Sequence, residues 1–322
     1  MTVTLALAGD TMLGRGVADL LAASTDPDAY LSDGVREHLA EADAIVLNLE
    51  CCISDRGSPW LSPGKPFHFR APPQAADLLA EVGVSCVTLA NNHALDYGYD
   101  ALLDTRAQLE RVEVHAVGAG ADEAQARQPV VLSVRGLRIG VIGATDHPLD
   151  YAARPDRPGV AYADLSSGVP SWLTDAVAAM RAEADAVLVT PHWGPNMTAG
   201  PQPYISAAAA TLVDAGASLV AGHSAHVVHG LAPPVLYDMG DFLDDYIVDP
   251  ELRNDLSFLF LVTVDELGPV RLRAVPLKLE YARTVLAEGD ERAWLGRRFT
   301  SACADFGASA TWEDGLLTAD MR

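Results

Sequence analysis

The sequence predicts an α/β protein built on one mixed sheet or on two sheets. Three observations carry that prediction. Short apolar runs rich in β-branched residues recur along the chain, and most end in a polar pair or triplet that leads into a helical pattern. Two further pairs of runs meet at Arg135-Gly136 and at Glu266-Leu267-Gly268 and read as hairpins. No repeat, low-complexity tract or linker argues for independent domains, and 322 residues with 49% hydrophobic content can bury a large core.

In chain order, residues 3–8 read as the first strand. Gly9-Asp10-Thr11-Met12-Leu13-Gly14-Arg15-Gly16 is a glycine-rich edge before a helix over 17–22. A helix over 36–42 precedes a strand over 44–50. The proline- and glycine-rich stretch 54–73 is a long loop, and loops of that length tend to carry function. A helix over 75–82, a strand over 84–89, a helix over 101–109 and a short strand over 114–117 follow. Residues 129–144 form the first hairpin, and 146–170 is irregular. Helices over 172–182 and 207–215 alternate with strands over 186–190, 218–221 and 235–237. Two more strands occupy 256–279. Beyond Arg283, Trp294, Phe299 and Trp312 are candidate helical anchors. The expected organisation is one domain over 1–282 with a tail, 283–322, packed on it.

The formal net charge is -22, and Lys65 and Lys278 are the only lysines. Such a chain repels nucleic acid and anionic membrane surfaces, which bind basic patches. An anionic substrate would need local positive charge. Cys51, Cys52, Cys86 and Cys303 show no framework spacing, which argues for a reducing compartment. The opening residues lack a basic leader and read as a strand, and no apolar run is long enough to span a bilayer. A cytoplasmic protein without membrane contact is expected.

Chemistry concentrates at strand ends, where open α/β sheets bind ligands. The most conspicuous is Asn91-Asn92-His93-Ala94-Leu95-Asp96, between a strand and a helix. Asp10, the pair Asn48 and Glu50, His192, the pair His223 and His226, and the pair Asp238 and Asp241 occupy comparable positions. Carboxylates, amides and imidazoles together suit manganese, zinc or iron, and two ions held about 3.5–4 Å apart need a carboxylate between them. Each residue also has a plain structural reading. Asp10 can cap a helix, Glu50 can be a solvated strand end, His192 can be a core histidine, and the Asn-rich stretch can be a turn. The joint pattern outweighs the single explanations. His38, His68, His115, His147 and His229 have no comparable support.

In order, the motifs Gly9-Asp10-Thr11-Met12-Leu13-Gly14-Arg15, Asn48-Leu49-Glu50, Phe69-Arg70-Ala71-Pro72, Asn91-Asn92-His93-Ala94-Leu95-Asp96-Tyr97-Gly98, His192-Trp193-Gly194, Gly222-His223-Ser224-Ala225-His226-Val227 and Gly240-Asp241-Phe242 resemble the poly-γ-glutamate capsule biosynthesis (CapA) family. That family is a branch of the calcineurin-like metallophosphoesterases. The resemblance implies a four-layer α/β/β/α sandwich of two mixed sheets holding two divalent ions, manganese, zinc or iron. It implies Glu50 as the bridging carboxylate, Asp10 and His226 on one ion, and Asn92, His192 and His223 on the other. His93 would face the leaving group, oriented by Asp96, with a metal-bound hydroxide as nucleophile. Arg15, Asn48, Arg70, Asn91, Trp193 and Asp241 are the expected substrate contacts.

Departures from the pattern carry consequences. Met12 stands where phosphoesterases of this kind have an imidazole, so the ion at Asp10 and His226 is expected to bind more weakly. Asp241 and Asn196 replace an Asn and a Glu usual in the CapA branch. The resemblance implies a metal-dependent hydrolase of a small anionic or peptidic substrate, a phosphate ester first and an amide second. The alternatives are a poly-γ-glutamate or γ-glutamyl-peptide biosynthesis or hydrolysis protein, and a non-catalytic binding module of the same fold.

Overall fold

Alternation along the first strand decides the architecture. In the computed structural model, which describes residues 1–61 and 65–322, the strand Thr2–Thr11 buries residues on both faces. Ala6 and Ala8 point to one core, with Leu47 and Leu49 of the neighbouring strand. Leu5 and Leu7 point to another, as successive strand side chains must. A sheet buried on both faces reads as a continuous apolar run, and that is why this strand carries no polar alternation.

The larger sheet is mixed. Thr2–Thr11, Ala44–Leu49, Val84–Thr88 and His115–Val117 run parallel, joined by helical crossovers. On the other side of Thr2–Thr11, the strands Leu256–Asp265, Gly268–Glu280 and Leu316–Asp320 are antiparallel. The smaller sheet carries the parallel strands Leu137–Thr145, Ala186–His192, Leu219–Ala221 and Val235–Leu236, with antiparallel neighbours at its edges.

Three large apolar clusters organise these elements. One lies between the larger sheet and helices that contribute Val17, Val35, Leu79 and Leu102. One lies between the sheets, where Leu5, Val46 and Phe260 meet Ile139, Val141 and Leu188. The third lies between the smaller sheet and helices bearing Leu173, Val177, Ile205 and Leu212. Among the described residues, an α/β protein with two large mixed sheets and two further two-stranded pairs is thus observed.

Some boundaries differ from expectation, for physical reasons. The first strand runs on through Gly9 and Asp10 because Gly240 packs against it. A Cβ at Gly9 would sit 1.7 Å from the Gly240 carbonyl oxygen, so only glycine permits that approach. The second helix is Asp33–Leu39, earlier than the expected 36–42, with Asp33 in its first turn facing the helix dipole. The long loop contains the short strands Cys52–Ile53 and Arg70–Ala71, and residues 62–64 of it lie outside the described residues. Trp312 is not a helical anchor. It sits in the strand Thr311–Glu313, half exposed, with the Arg292 guanidinium 4.6 Å from its ring. Trp294 and Phe299 do lie on a helix, Gly289–Ala304.

Residues 283–322 add Arg283–Leu286 and Leu316–Asp320 to the larger sheet, flanking Gly268–Glu280. Phe299 is fully buried, with ring centroids 5.2 Å from Phe258 and 5.8 Å from Phe260. Phe299→Ala is therefore expected to destabilise the whole chain by about 3–5 kcal/mol. The check is the denaturant midpoint at constant slope, and an unchanged midpoint would make the tail an independent appendage.

Candidate metal centre

The strand ends converge as their register requires. Asp10 lies opposite Asn48 on one side and Asp241 on the other, in parallel pairings. The Glu50 amide donates to the Thr11 carbonyl, which places its side chain one residue beyond Asp10. From the smaller sheet, His192 and His223 bridge backbone to backbone at adjacent strand ends. Gly222 permits this, because a Cβ there would meet the Trp193 indole nitrogen at 2.4 Å. Arg15, Ser224 and His226 hold positive φ angles of 52°, 118° and 60°. Such strain in non-glycine residues clusters at functional sites.

Two compact sets result: Asp10 with His192 and His223, and Asp10 with His226 and Asp241. His226 Nδ1 lies 2.8 Å from Asp241 Oδ1, 3.1 Å from Asp10 Oδ2 and 3.9 Å from Glu50 Oε2. His192 Nδ1 lies 2.8 Å from His223 Nδ1, and His223 Nδ1 lies 3.7 Å from Asp10 Oδ1. His192 Nε2 lies 4.0 Å from Glu50 Oε1. Ligands bonded to one ion at about 2.1 Å stand roughly 3.0–3.4 Å apart, so these separations bracket those of a shared cation.

The polar bookkeeping supports that fit. Asp10 Oδ2, Glu50 Oε1, Asn92 Oδ1, His192 Nε2 and Asp241 Oδ2 are buried with no hydrogen-bond partner. Buried polar atoms are nearly always satisfied, so a cluster of orphans of ligating types points to a cation among them. The charge balance agrees. Burial, and then the nearby Asp10, push the Glu50 carboxyl well up. Burial does the same to Asp241. Burial alone would lower His226, but the carboxylates of Asp241, Glu50 and Asp10 raise it well above the ordinary imidazole range. Burial, then neighbouring His223, lowers His192, and burial lowers His223 to about 4, so both present neutral nitrogens suited to a metal.

Beside this centre stands a dyad. His93 Nδ1 lies 2.6 Å from Asp96 Oδ2, and the Phe69 ring lies 4.2 Å from the imidazole. Asp96 also accepts from the Phe69 amide at 2.6 Å and from the Tyr151 hydroxyl at 3.0 Å, and it pairs with Lys65 at 2.8 Å. Despite burial, the bond to His93 and the charge of Lys65 hold the Asp96 carboxyl below its usual range. Burial lowers His93 in spite of Asp96.

Not every residue expected at the substrate touches the cleft. The cavity beside the centre, about 540 Å³, is lined by Arg15, Phe69, His93, Asn196, His226 and Tyr246 among others. Asn48, Asn91 and Trp193 are buried and outside that lining. Asn48 donates to Asp10 at 2.6 Å, Asn91 donates to Asn48 and to the Leu49 carbonyl, and Trp193 donates to the Tyr237 carbonyl. Arg70 stacks on Tyr97 at 4.1 Å and is likewise absent from the lining. Asp241 falls in one of the candidate ligand sets and outside the cleft lining. Arg15 does line the cleft, paired with Asp245 at 3.2 Å. Met12, where an imidazole was missed, is buried with its sulfur accepting from the Gly14 amide.

Sequence reasoning also passed over residues. Tyr246 stands edge-on to His226, its hydroxyl 3.5 Å from Glu50 Oε2. His147, paired with Asp146, lies 5.1 Å from the His192 ring. Asp146 and His147 follow the strand Leu137–Thr145, so the strand-end rule applied elsewhere would have found them. Asn196, marked in the sequence as a departure from the family pattern, sits with Nδ2 3.2 Å from His226 Nε2.

Fold and site together define a two-sheet α/β protein with a buried carboxylate–imidazole centre of metal-binding character. Comparison with known sequences places it further. The model of the family described as bacterial capsule synthesis protein PGA_cap matches residues 4–246. A probable polyglutamine synthesis accessory protein of Mycobacterium tuberculosis is 31% identical over 98% of this chain and 95% of its own. The capsule biosynthesis protein CapA of Bacillus anthracis is 28% identical over 86% of this chain and 68% of its own. The PGA biosynthesis protein CapA of Bacillus subtilis is 25% identical over 89% and 78%. The chain belongs to the PGA_cap family, within the metallophosphoesterase-like superfamily. Among the described residues, no helix is long and apolar enough to cross a membrane.

Asp241→Asn is expected to weaken divalent-ion binding at least roughly tenfold, the lower end of what losing a second-shell partner costs. Calorimetric titration with manganese checks this, with circular dichroism to confirm the fold. Unchanged affinity would remove Asp241 from the ligand set.

Proposed function

We propose that this chain is a metal-dependent hydrolase of a small anionic molecule, with a phosphate ester as first choice and an amide as second. The observation that carries the reading is the set of orphaned ligating atoms beside the His93–Asp96 dyad. We also propose the four-layer α/β/β/α order for the frame, which the succession of helix–sheet, sheet–sheet and sheet–helix clusters supports.

Asp10 and Glu50 lie between the two imidazole groups and are the carboxylates suited to bridge, with His192, His223 and Asn92 on one side and His226 and Asp241 on the other. Manganese, zinc or iron held there would polarise an ester oxygen and lower the pKa of a water. The chain's own part is proton handling and orientation. Asp96 fixes the ring of His93 through Nδ1, which leaves Nε2 to exchange a proton with the leaving group. Phe69 covers one face of that ring and limits water. Arg15 is placed to hold an anionic group.

A second reading is favoured by the names of the relatives. Since they are called biosynthesis or accessory proteins of polyglutamate and polyglutamine, this chain could work beside a synthesising enzyme on γ-glutamyl chains. Assaying phosphate esters alongside poly-γ-glutamate and short γ-glutamyl peptides separates the two.

Chelation is expected to abolish hydrolysis of an aryl phosphate and manganese, zinc or iron to restore it. No gain with any of the three ions, together with less than one bound ion per chain, would sink the hydrolase reading. His93→Ala is expected to keep its metal content and lose about 10²–10⁴-fold in kcat. Full activity would take His93 out of the proton path.

A further inference from the structure

The cleft beside the centre has a composition that its acidic surroundings do not explain. One wall is aromatic from mouth to metal ligands. Phe67, 56% exposed, stacks on Phe69 at 6.2 Å with an interplanar angle of 11°. Phe69 continues to Tyr246 at 5.6 Å, and Tyr246 meets the His226 ring at 5.3 Å. Met197 and Ile247 form an apolar rim at the opening, and Ile247 is 90% exposed. Contiguous apolar surface of this kind along a cleft, unlike a single exposed residue, marks a place for a ligand.

Positive charge is scarce there. Among the described residues lining the cleft, Arg15 is the only Lys or Arg, and it is already paired with Asp245. Lys65, nearby, is engaged by Asp96. Along the wall outside the centre, a run of carboxylates would therefore meet one guanidinium in a chain of formal charge -22. Sites built for polyanions instead string cations along the path.

We propose that the cleft selects a small molecule with a single anionic group and an apolar, preferably aromatic, remainder, and disfavours a polyanionic chain. This deepens the hydrolase reading and rests on it for the position of the scissile bond. The anionic group lies at the centre beside Arg15, and the apolar part lies along Phe67 and Phe69 toward Ile247.

Binding is tested apart from turnover. Phenylphosphonate and methylphosphonate carry the same anionic head, and calorimetry on the manganese-loaded full chain compares them. Burying one ring should favour phenylphosphonate by roughly tenfold or more in Kd. Phe67→Ala should remove most of that preference while methylphosphonate changes less. Equal affinities for the two phosphonates, or an oligo-γ-glutamate that displaces phenylphosphonate at lower concentration than phenylphosphonate displaces it, would overturn the proposal. Turnover is then read with naphthyl phosphate and glycerol phosphate. A naphthyl KM roughly tenfold lower, with similar kcat, is expected. If neither ester is cleaved but the phosphonates still differ, the hydrolase reading fails and the selectivity stands.

Discussion

At the junction of the two sheets, the carboxylates of Asp10, Glu50 and Asp241 lie out of reach of solvent, and several of their oxygens find no donor. Removing an ion from water costs several kcal/mol even after relaxation. A fold that assembles such groups at one point needs positive charge there. His226 supplies one charge, held by the same carboxylates. The neutral imidazoles of His192 and His223 supply none. Protonation of the raised Glu50 and Asp241 carboxyls relieves part of that imbalance, and divalent cations bound there would relieve it without a proton, which would link stability to metal binding.

That constraint explains features far from the centre. Both sheets must present their strand ends to the same space, and this fixes how they face. The apolar core between them, with Leu5, Leu7, Ile139 and Leu188, sets the spacing. Gly9 and Gly222 let backbone or indole approach where any Cβ would push a ligand-bearing strand away. The strained φ angles of Arg15, Ser224 and His226 lie in the same region. Packing elsewhere holds them, in keeping with a site whose geometry is over-determined by its surroundings.

Much of this was legible in the sequence, because one rule governs it: an apolar strand followed by a ligating residue. Asp10, Glu50, His192 and His223 all obey it, and the structure brings them together. What stayed illegible has a common physical origin. An amide can serve a ligand or another side chain with identical chemistry, so Asn48 and Asn91 were expected at the substrate and instead bond to their neighbours. Trp193 reads the same whether it faces a cleft or closes a core. Asp241 was marked as a strand-end carboxylate, but its place beside Asp10 depends on a parallel pairing across some 230 residues of sequence, which no local pattern reveals. Trp312 was drawn into a helix by the anchors before it, although a hairpin-like pairing with Leu317 places it in a strand.

The buried amides carry one more consequence. Asp10 accepts from Asn48, Asn48 accepts from Asn91, and the Asn91 carbonyl oxygen accepts from the His93 amide, at 2.6, 2.9 and 3.0 Å. This chain of bonds crosses the ends of three parallel strands and joins a candidate ligand to the backbone of His93, the proposed proton-transfer residue. The His93 ring is fixed separately, through Asp96, to the Phe69 amide and Lys65. The imidazole is therefore held from two directions, one referenced to the metal centre and one to the cleft wall. Under the proposed function, proton transfer to a leaving group would require the acid to stand within a hydrogen bond of an atom whose place the cations would set. On that proposal, residues that touch neither substrate nor cation would determine whether the dyad and the centre act on the same bond.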